Sequence, residues 1–164
     1  MLKSNIQDAL NDQMNAEMAS AYLYLSMAAH FESRSLRGMA HWMKVQAGEE
    51  WRHAMKFFQQ IVDRGGHVSF LPLGAPKEKW SSVQDAFQDA LNHECQVTGR
   101  IHGLVKLAAS EADFATHAFL QWFVNEQVEE EANAQIIVEK LKMMGDGNVG
   151  LLFLDSELGK RAGD

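Results

Sequence analysis

Four long segments of this chain carry apolar residues at alternating spacings of three and four, and a glutamate interrupts each stripe near its middle. The first runs Ile6, Leu10, Gln13, Glu17, Ala21, Tyr24, Ala28, Phe31, and the second Leu36, Ala40, Met43, Ala47, Glu50, Ala54, Phe57, Ile61. The third is Val83, Phe87, Ala90, Glu94, Val97, Ile101, Leu104, Ala108. The fourth is Phe119, Phe123, Glu126 or Gln127, Glu130, Ala134, Ile137, Leu141. Residues at this spacing share one helix face, the face that folding must bury. A lone carboxylate in a core costs several kcal/mol, so four of them require a shared counter-charge. A metal ion supplies it.

The rest of the chain limits the alternatives. At 164 residues with 46% hydrophobic content and only 2 prolines, it is expected to be one mostly helical domain spanning 1–164. Cys95 is the single cysteine, which rules out an internal disulfide and suits a reducing compartment. The opening Met1-Leu2-Lys3-Ser4-Asn5 leads into an amphipathic helix without a signal-peptide apolar region, and Leu151-Leu152-Phe153-Leu154 is too short to cross a bilayer. A cytoplasmic protein with no membrane association is expected. A formal net charge of -7 disfavours nucleic acid as a partner and favours attraction of cations.

Turn signals divide the chain. Ser4 is the expected cap of a first helix reaching about Glu32, and Ser35 of a second ending at Gly65-Gly66. An extended link, His67 to Lys79, contains Pro72 and Pro76; Ser81 or Ser82 then caps a third helix ending near Ala109. Ser110-Glu111-Ala112-Asp113 turns into a fourth helix ending at Gly145. Asp146-Gly147-Asn148 breaks the chain before a short fifth helix at about 149–158. The short turns after helices one and three demand antiparallel hairpins. The link of roughly 14 residues can reach about 45 Å, which matches a second helix of about 43 Å. Helices two and three are therefore expected to run parallel, giving an all-α four-helix bundle (4–145) with one long crossover. Counted from the turns, Glu17, Glu50, Glu94 and the Glu126–Glu130 run fall within roughly one helical turn of the same height.

His53 follows Glu50 by three residues and projects from the same face. Carboxylates with one imidazole suit iron or manganese before copper or zinc, and this many carboxylates can balance two divalent ions, with Glu50 the expected bridge. Such a pair of Fe(II) ions leaves room for O2 to bind between them.

Along essentially its whole length, fifth helix included, the chain resembles the bacterial non-haem ferritins. That resemblance implies a ferritin-like fold and a dinuclear ferroxidase centre built from Glu17, the Glu50-x-x-His53 pair, Glu94, and Gln127 with Glu130. It further implies a neighbouring third iron site from Glu49, Glu126 and Glu129 with Glu130, and a tyrosine, Tyr24, that donates an electron or a hydrogen bond at the centre. No haem is expected. Bacterioferritins carry a second Glu-x-x-His on helix four, where Glu130 stands in place of the histidine, and a haem methionine at the position of Trp51. Trp122, one turn before Glu126, is expected to pack in the core, and Glu131 to face solvent.

The implied activity is iron storage and detoxification: Fe(II) is oxidised by O2 or peroxide, and ferric mineral is deposited inside a hollow homo-oligomeric shell of 24 subunits. Val149, Leu151, Leu152, Phe153, Leu154 and Leu158 give the fifth helix apolar surface suited to a subunit contact. His117, Asp113 and Glu111 are candidates for an iron-access channel. Two other readings remain: a di-iron or di-manganese oxidase acting on a small organic substrate, and a metal-free helical interaction module.

Overall fold

A computed structural model describes residues 2–145 and 148–163. The ends of the expected 1–164 domain, Met1 and Asp164, and the Asp146-Gly147 part of the expected break lie outside the described residues. Five helices account for the architecture: α1 (Ser4–Ser33), α2 (Arg37–Asp63), α3 (Val83–Ser110), α4 (Phe114–Met144) and α5 (Asn148–Leu158). Among the described residues there is no strand. Each expected helix is present, and almost every stripe residue is buried; Phe119 and Glu126 are the partly exposed ones.

Side-chain contacts fix the directions. Lys3, Gln13 and Ser20 of the α1 side meet Glu111, Arg100 and His93 of the α3 side, so residue numbers rise on one helix as they fall on the other. Arg64, His53 and Gln46 likewise meet Asp113, Glu126 and Glu130, which makes α2 and α4 antiparallel. With two antiparallel hairpins, α2 and α3 run parallel, as the long link requires.

That link is fastened to α1 by an amide ladder. Asn11 donates to the His67 carbonyl (2.9 Å) and accepts from the Ser69 N–H (2.7 Å). Asn15 donates to the Ser69 carbonyl (2.8 Å) and accepts from the Leu71 N–H (2.8 Å), and Gln7 accepts from the His67 N–H (2.8 Å). Three amides at four-residue spacing thus satisfy backbone groups that have no sheet or helix of their own.

Two of the expected caps are corrected. Lys3, not Ser4, occupies the α1 cap position and contributes no side-chain cap. Ser35 sits at φ 60, the left-handed position that closes α1, with the Leu36 N–H returning to the Phe31 carbonyl (3.0 Å). Leu36 then starts α2 without a side-chain cap. The missing cap comes from α5, where Asp155 Oδ1 accepts the Met39 N–H (2.8 Å). Ser82 caps α3 as expected, accepting from the Asp85 N–H (3.0 Å).

The apolar core is divided in two. One cluster includes Phe31, Met43, Trp42, Phe87 and Leu141, and reaches Leu154 and Leu158 of α5. The other includes Ile6, Leu10, Phe57, Ile101 and Phe123. Between them lies a layer of buried polar groups drawn from all four long helices: Gln13, Glu17, Gln46, Glu50, His53, Glu94, Gln127 and Glu130.

Docking of α5 depends on a glycine. A Cβ on Gly38 would lie 1.6 Å from the Asp155 carbonyl oxygen. That atom is backbone and cannot step aside without moving the helix. Gly38→Ala is expected to lower stability by about 1–3 kcal/mol by displacing α5 and its cap on Met39, read as a fall in Tm by calorimetry. An unchanged Tm would show that α5 docks without this close approach.

Candidate metal centre

Each long helix brings one glutamate to mid-height with its carboxylate facing inward. Glu17, Glu50, Glu94 and Glu130 are at most 5% exposed, and His53 is 4% exposed. One oxygen or nitrogen each from Glu17, Glu50 and His53 lies within 4.8 Å of the others, close enough to share one cation. A second such group joins His53, Glu126 and Glu130. His53 links the two, with Nδ1 3.3 Å from Glu50 Oε2 and Nε2 3.7 Å from Glu126 Oε1.

The hydrogen bonds to the four glutamates of this layer come from neutral groups. Gln13 Nε2 donates to Glu17 Oε1 (2.8 Å). Gln46 Nε2 donates to both Glu50 Oε1 (3.1 Å) and Glu130 Oε2 (2.8 Å), bridging α2 and α4. Tyr24, fully buried, donates its phenol proton to Glu94 Oε1. Gln127 Nε2 is shared among the Glu94 carbonyl (3.2 Å), Glu94 Oε2 (3.3 Å) and Thr98 Oγ1 (3.3 Å). Glu17 Oε2 is buried with no hydrogen-bond partner. A buried carboxylate oxygen left unpartnered is costly, and a cation among these oxygens would satisfy it.

Burial and mutual repulsion hold these carboxyls protonated further into the neutral range than an exposed glutamate. Glu17 is pushed up to about 8, first by burial and then by the adjacent Glu50 charge. Glu130 is pushed up to about 7, first by burial and then by Glu94. Glu50 and Glu94 are also raised, chiefly by burial, and Glu50 further by the charges of Glu94 and Glu130. Burial, then the charge of Glu94, drives the Tyr24 phenol well above its usual range, so it stays a hydrogen-bond donor.

Three expected site residues lie at the margin. Glu126 is partly exposed and enters the second group. Glu49 is half-buried, held by Arg161, with Arg52 3.8 Å away. Glu129 stays exposed, outside both groups. Trp122 corrects the expectation of core packing: it is 40% exposed, edge-on to His53 at 5.4 Å between ring centres, with Lys56 over its ring at 4.2 Å. Glu131 is only half exposed, because Thr98 donates to it (2.5 Å). The two carboxylates assigned to an access channel are engaged elsewhere. Asp113 caps α4 and pairs with Arg64 (3.1 Å), and Glu111 pairs with Lys3 (2.9 Å). Gln46 was not among the expected site residues, although it stands four residues before Glu50 as Gln13 stands four before Glu17.

A long-crossover bundle whose four helices each send a carboxylate into one buried layer, with a Glu-x-x-His on one of them, belongs among the carboxylate-ligated metal proteins of helical bundles. Residues 7–144 match the family described as ferritin-like domain. The chain belongs to the ferritin family. It is 42% identical over 164 residues to a bacterial non-heme ferritin of Staphylococcus aureus (strain MRSA252), covering 100% of this chain and 99% of that protein. It is 44% identical over 161 residues to a bacterial non-heme ferritin of Bacteroides fragilis (strain 638R), covering 98% of this chain and 100% of that one. Among solved structures, an open pore ferritin from the hyperthermophilic archaeon Archaeoglobus fulgidus superposes with a TM-score of 0.98 at 51% identity, covering 99% of this chain and 100% of its own. A closed form of that ferritin, engineered by site-directed mutagenesis, gives a TM-score of 0.99 at 50% identity and covers 100% of both chains.

The raised carboxyls make a pH prediction for the metal-free protein. The folded values of Glu17 and Glu130, about 8 and about 7, exceed the ordinary 4.5 of the unfolded chain. Their contribution to stability is therefore complete below that ordinary value and is lost as pH rises through the folded values. Metal-free protein in chelator is expected to lose Tm steadily between about pH 5 and pH 8. Glu17→Gln, neutral and of the same shape, is expected to flatten the decline. A Tm that rises across this range in the wild type contradicts the assignment.

Proposed function

We propose that this protein is an iron-storing ferroxidase: it oxidises Fe(II) at the buried carboxylate layer and deposits the ferric product inside an oligomeric shell. The observation that carries this reading is a buried, unpartnered oxygen on Glu17, a residue grouped with Glu50 and His53 in a layer of four inward carboxylates. Iron here is substrate. Two Fe(II) ions would be held by Glu17, Glu50, His53, Glu94 and Glu130, with Glu50 as the bridge. Each ion gives up one electron, and the pair of electrons reduces O2 to peroxide or peroxide to water, with protons taken up to balance. The layer itself supplies protons, because carboxyls that are neutral near pH 7 release them when a cation takes their place.

The flanking groups have roles within this reading. Gln127 orients Glu94 through its amide, and the Tyr24 phenol holds the other Glu94 oxygen, from where it would deliver an electron. The second group, His53 with Glu126 and Glu130, favours a third iron site at the outer edge of the layer. Glu49 would join it by leaving Arg161, and Glu129 by turning inward.

Assembly into a 24-subunit shell accounts for the outer surface of α5. Val149, Leu152 and Phe153 are 84%, 65% and 73% exposed in the single chain, while Leu154 and Leu158 of the same helix are buried against the bundle. Apolar side chains on the second face of a short helix are suited to a neighbouring copy. No helix among the described residues is long and apolar enough to cross a membrane. A cytoplasmic location and the absence of haem belong to the same reading.

Fe(II) added in air to wild type, Glu50→Ala and His53→Ala tests it through the initial rise of ferric absorbance. Both variants are expected to be slower by about 10-fold or more. Equal initial rates in all three would remove the layer from the reaction. Size-exclusion chromatography tests the shell: elution at low molecular weight would favour an oxidase of small organic substrates instead.

A further inference from the structure

Beyond α5 the chain turns back onto α2, and Arg161 reaches toward the metal layer without entering it. Its guanidinium donates to Gln46 Oε1 (2.9 Å) and to Glu49, and it lies 4.5 Å from the centre of the Trp42 ring. Its carbonyl accepts from His41 Nε2 (2.8 Å), so backbone and side chain are both held. The side chain is 19% exposed. On the far side, the Gln46 amide nitrogen donates to Glu50 and to Glu130, carboxylates carried by two different helices.

A glutamine amide can face either way in a pocket of this shape, and its orientation decides what the carboxylates meet. Arginine has donors only, so the Gln46 atom beside Arg161 must be the carbonyl oxygen. This leaves the amide N–H groups pointing at Glu50 and Glu130, as acceptors require. Without the guanidinium the amide oxygen loses its anchor, and the side chain can shift or rotate away from Glu50 and Glu130. We propose that Arg161 is a positioning residue for the iron site: it anchors the Gln46 amide through its oxygen, and Gln46 in turn fixes the spacing and orientation of Glu50 and Glu130. The C-terminal segment is thereby coupled to the metal geometry in the core, more than 100 residues distant in sequence. The proposal rests on the reading of those two glutamates as iron ligands.

Groups hydrogen-bonded to metal ligands are worth about 10–100-fold in affinity or activity when removed. Arg161 acts one bond further out, so a loss of about three- to tenfold is expected. Co(II) is the probe, since it binds without turnover and reports its coordination through visible absorption. Affinity and spectrum are measured for wild type, Arg161→Ala, Gln46→Ala and the double variant. If Arg161 acts through Gln46, Arg161→Ala weakens Co(II) binding and shifts the spectrum in the wild-type background and changes neither once Gln46 is gone.

A purely structural role gives a different result: lower Tm, and the same loss of affinity in both backgrounds. That outcome, or an unaltered spectrum in Arg161→Ala, overturns the proposal. Should Arg161→Ala fail to assemble, Arg161→Lys replaces it in the same cycle; it keeps the charge beside Glu49 but loses the fork that serves Gln46 as well. The underlying reading is checked separately by Glu50→Ala. If wild type and Glu50→Ala bind Co(II) equally, the site assignment fails; if only the cycle fails, Arg161 alone is dismissed.

Discussion

Burying four carboxylates at one level of the core is the constraint on which the rest of this molecule depends. Each would lose several kcal/mol of hydration without a partner. The protein offsets part of that cost with Gln13, Gln127 and Tyr24, each donating to one glutamate, and Gln46, which donates to two. These donors are neutral, so they orient the carboxylates without cancelling their charge. The result is a layer that is tolerated when protonated and suited to cations, the behaviour that the proposed iron site requires. An arginine in the same layer would have made a stable core and destroyed the site.

Two apolar clusters above and below keep the layer at its height. The length of the helices follows from this arrangement, because each must supply a packed half on both sides of a polar interruption. The remaining features hold the register of the four helices. The crossover is fastened along α1 by Gln7, Asn11 and Asn15, and α5 closes the start of α2 through Asp155 and the close approach at Gly38. A slip of one turn in any helix would move its glutamate out of the layer by about 5 Å.

Much of this was legible in the residue pattern, for identifiable reasons. Helical periodicity is local, and so the stripes and their glutamates could be read directly; the short turns and the long link then determined the directions of the helices. What escaped was tertiary. The cap on Met39 comes from Asp155, 116 positions away, and so Ser35 looked like the better candidate until its φ of 60 placed it in the turn. Trp122 sits near the stripe and looked like core, yet it lies at the outer edge where Lys56 covers it. Gln46 did leave a trace, the repeated Gln-x-x-x-Glu of Gln13–Glu17 and Gln46–Glu50, whereas Arg161 left none.

The central claim is that the carboxylate layer holds a pair of irons. Crystals soaked anaerobically in Fe(II) and measured by anomalous scattering at the iron edge test it most directly. Two strong peaks per subunit are expected, one beside Glu17, Glu50 and His53 and the other beside Glu50, Glu94 and Glu130. Iron found only at exposed carboxylates such as Glu129 and Glu157, with no peak within the layer, would contradict it.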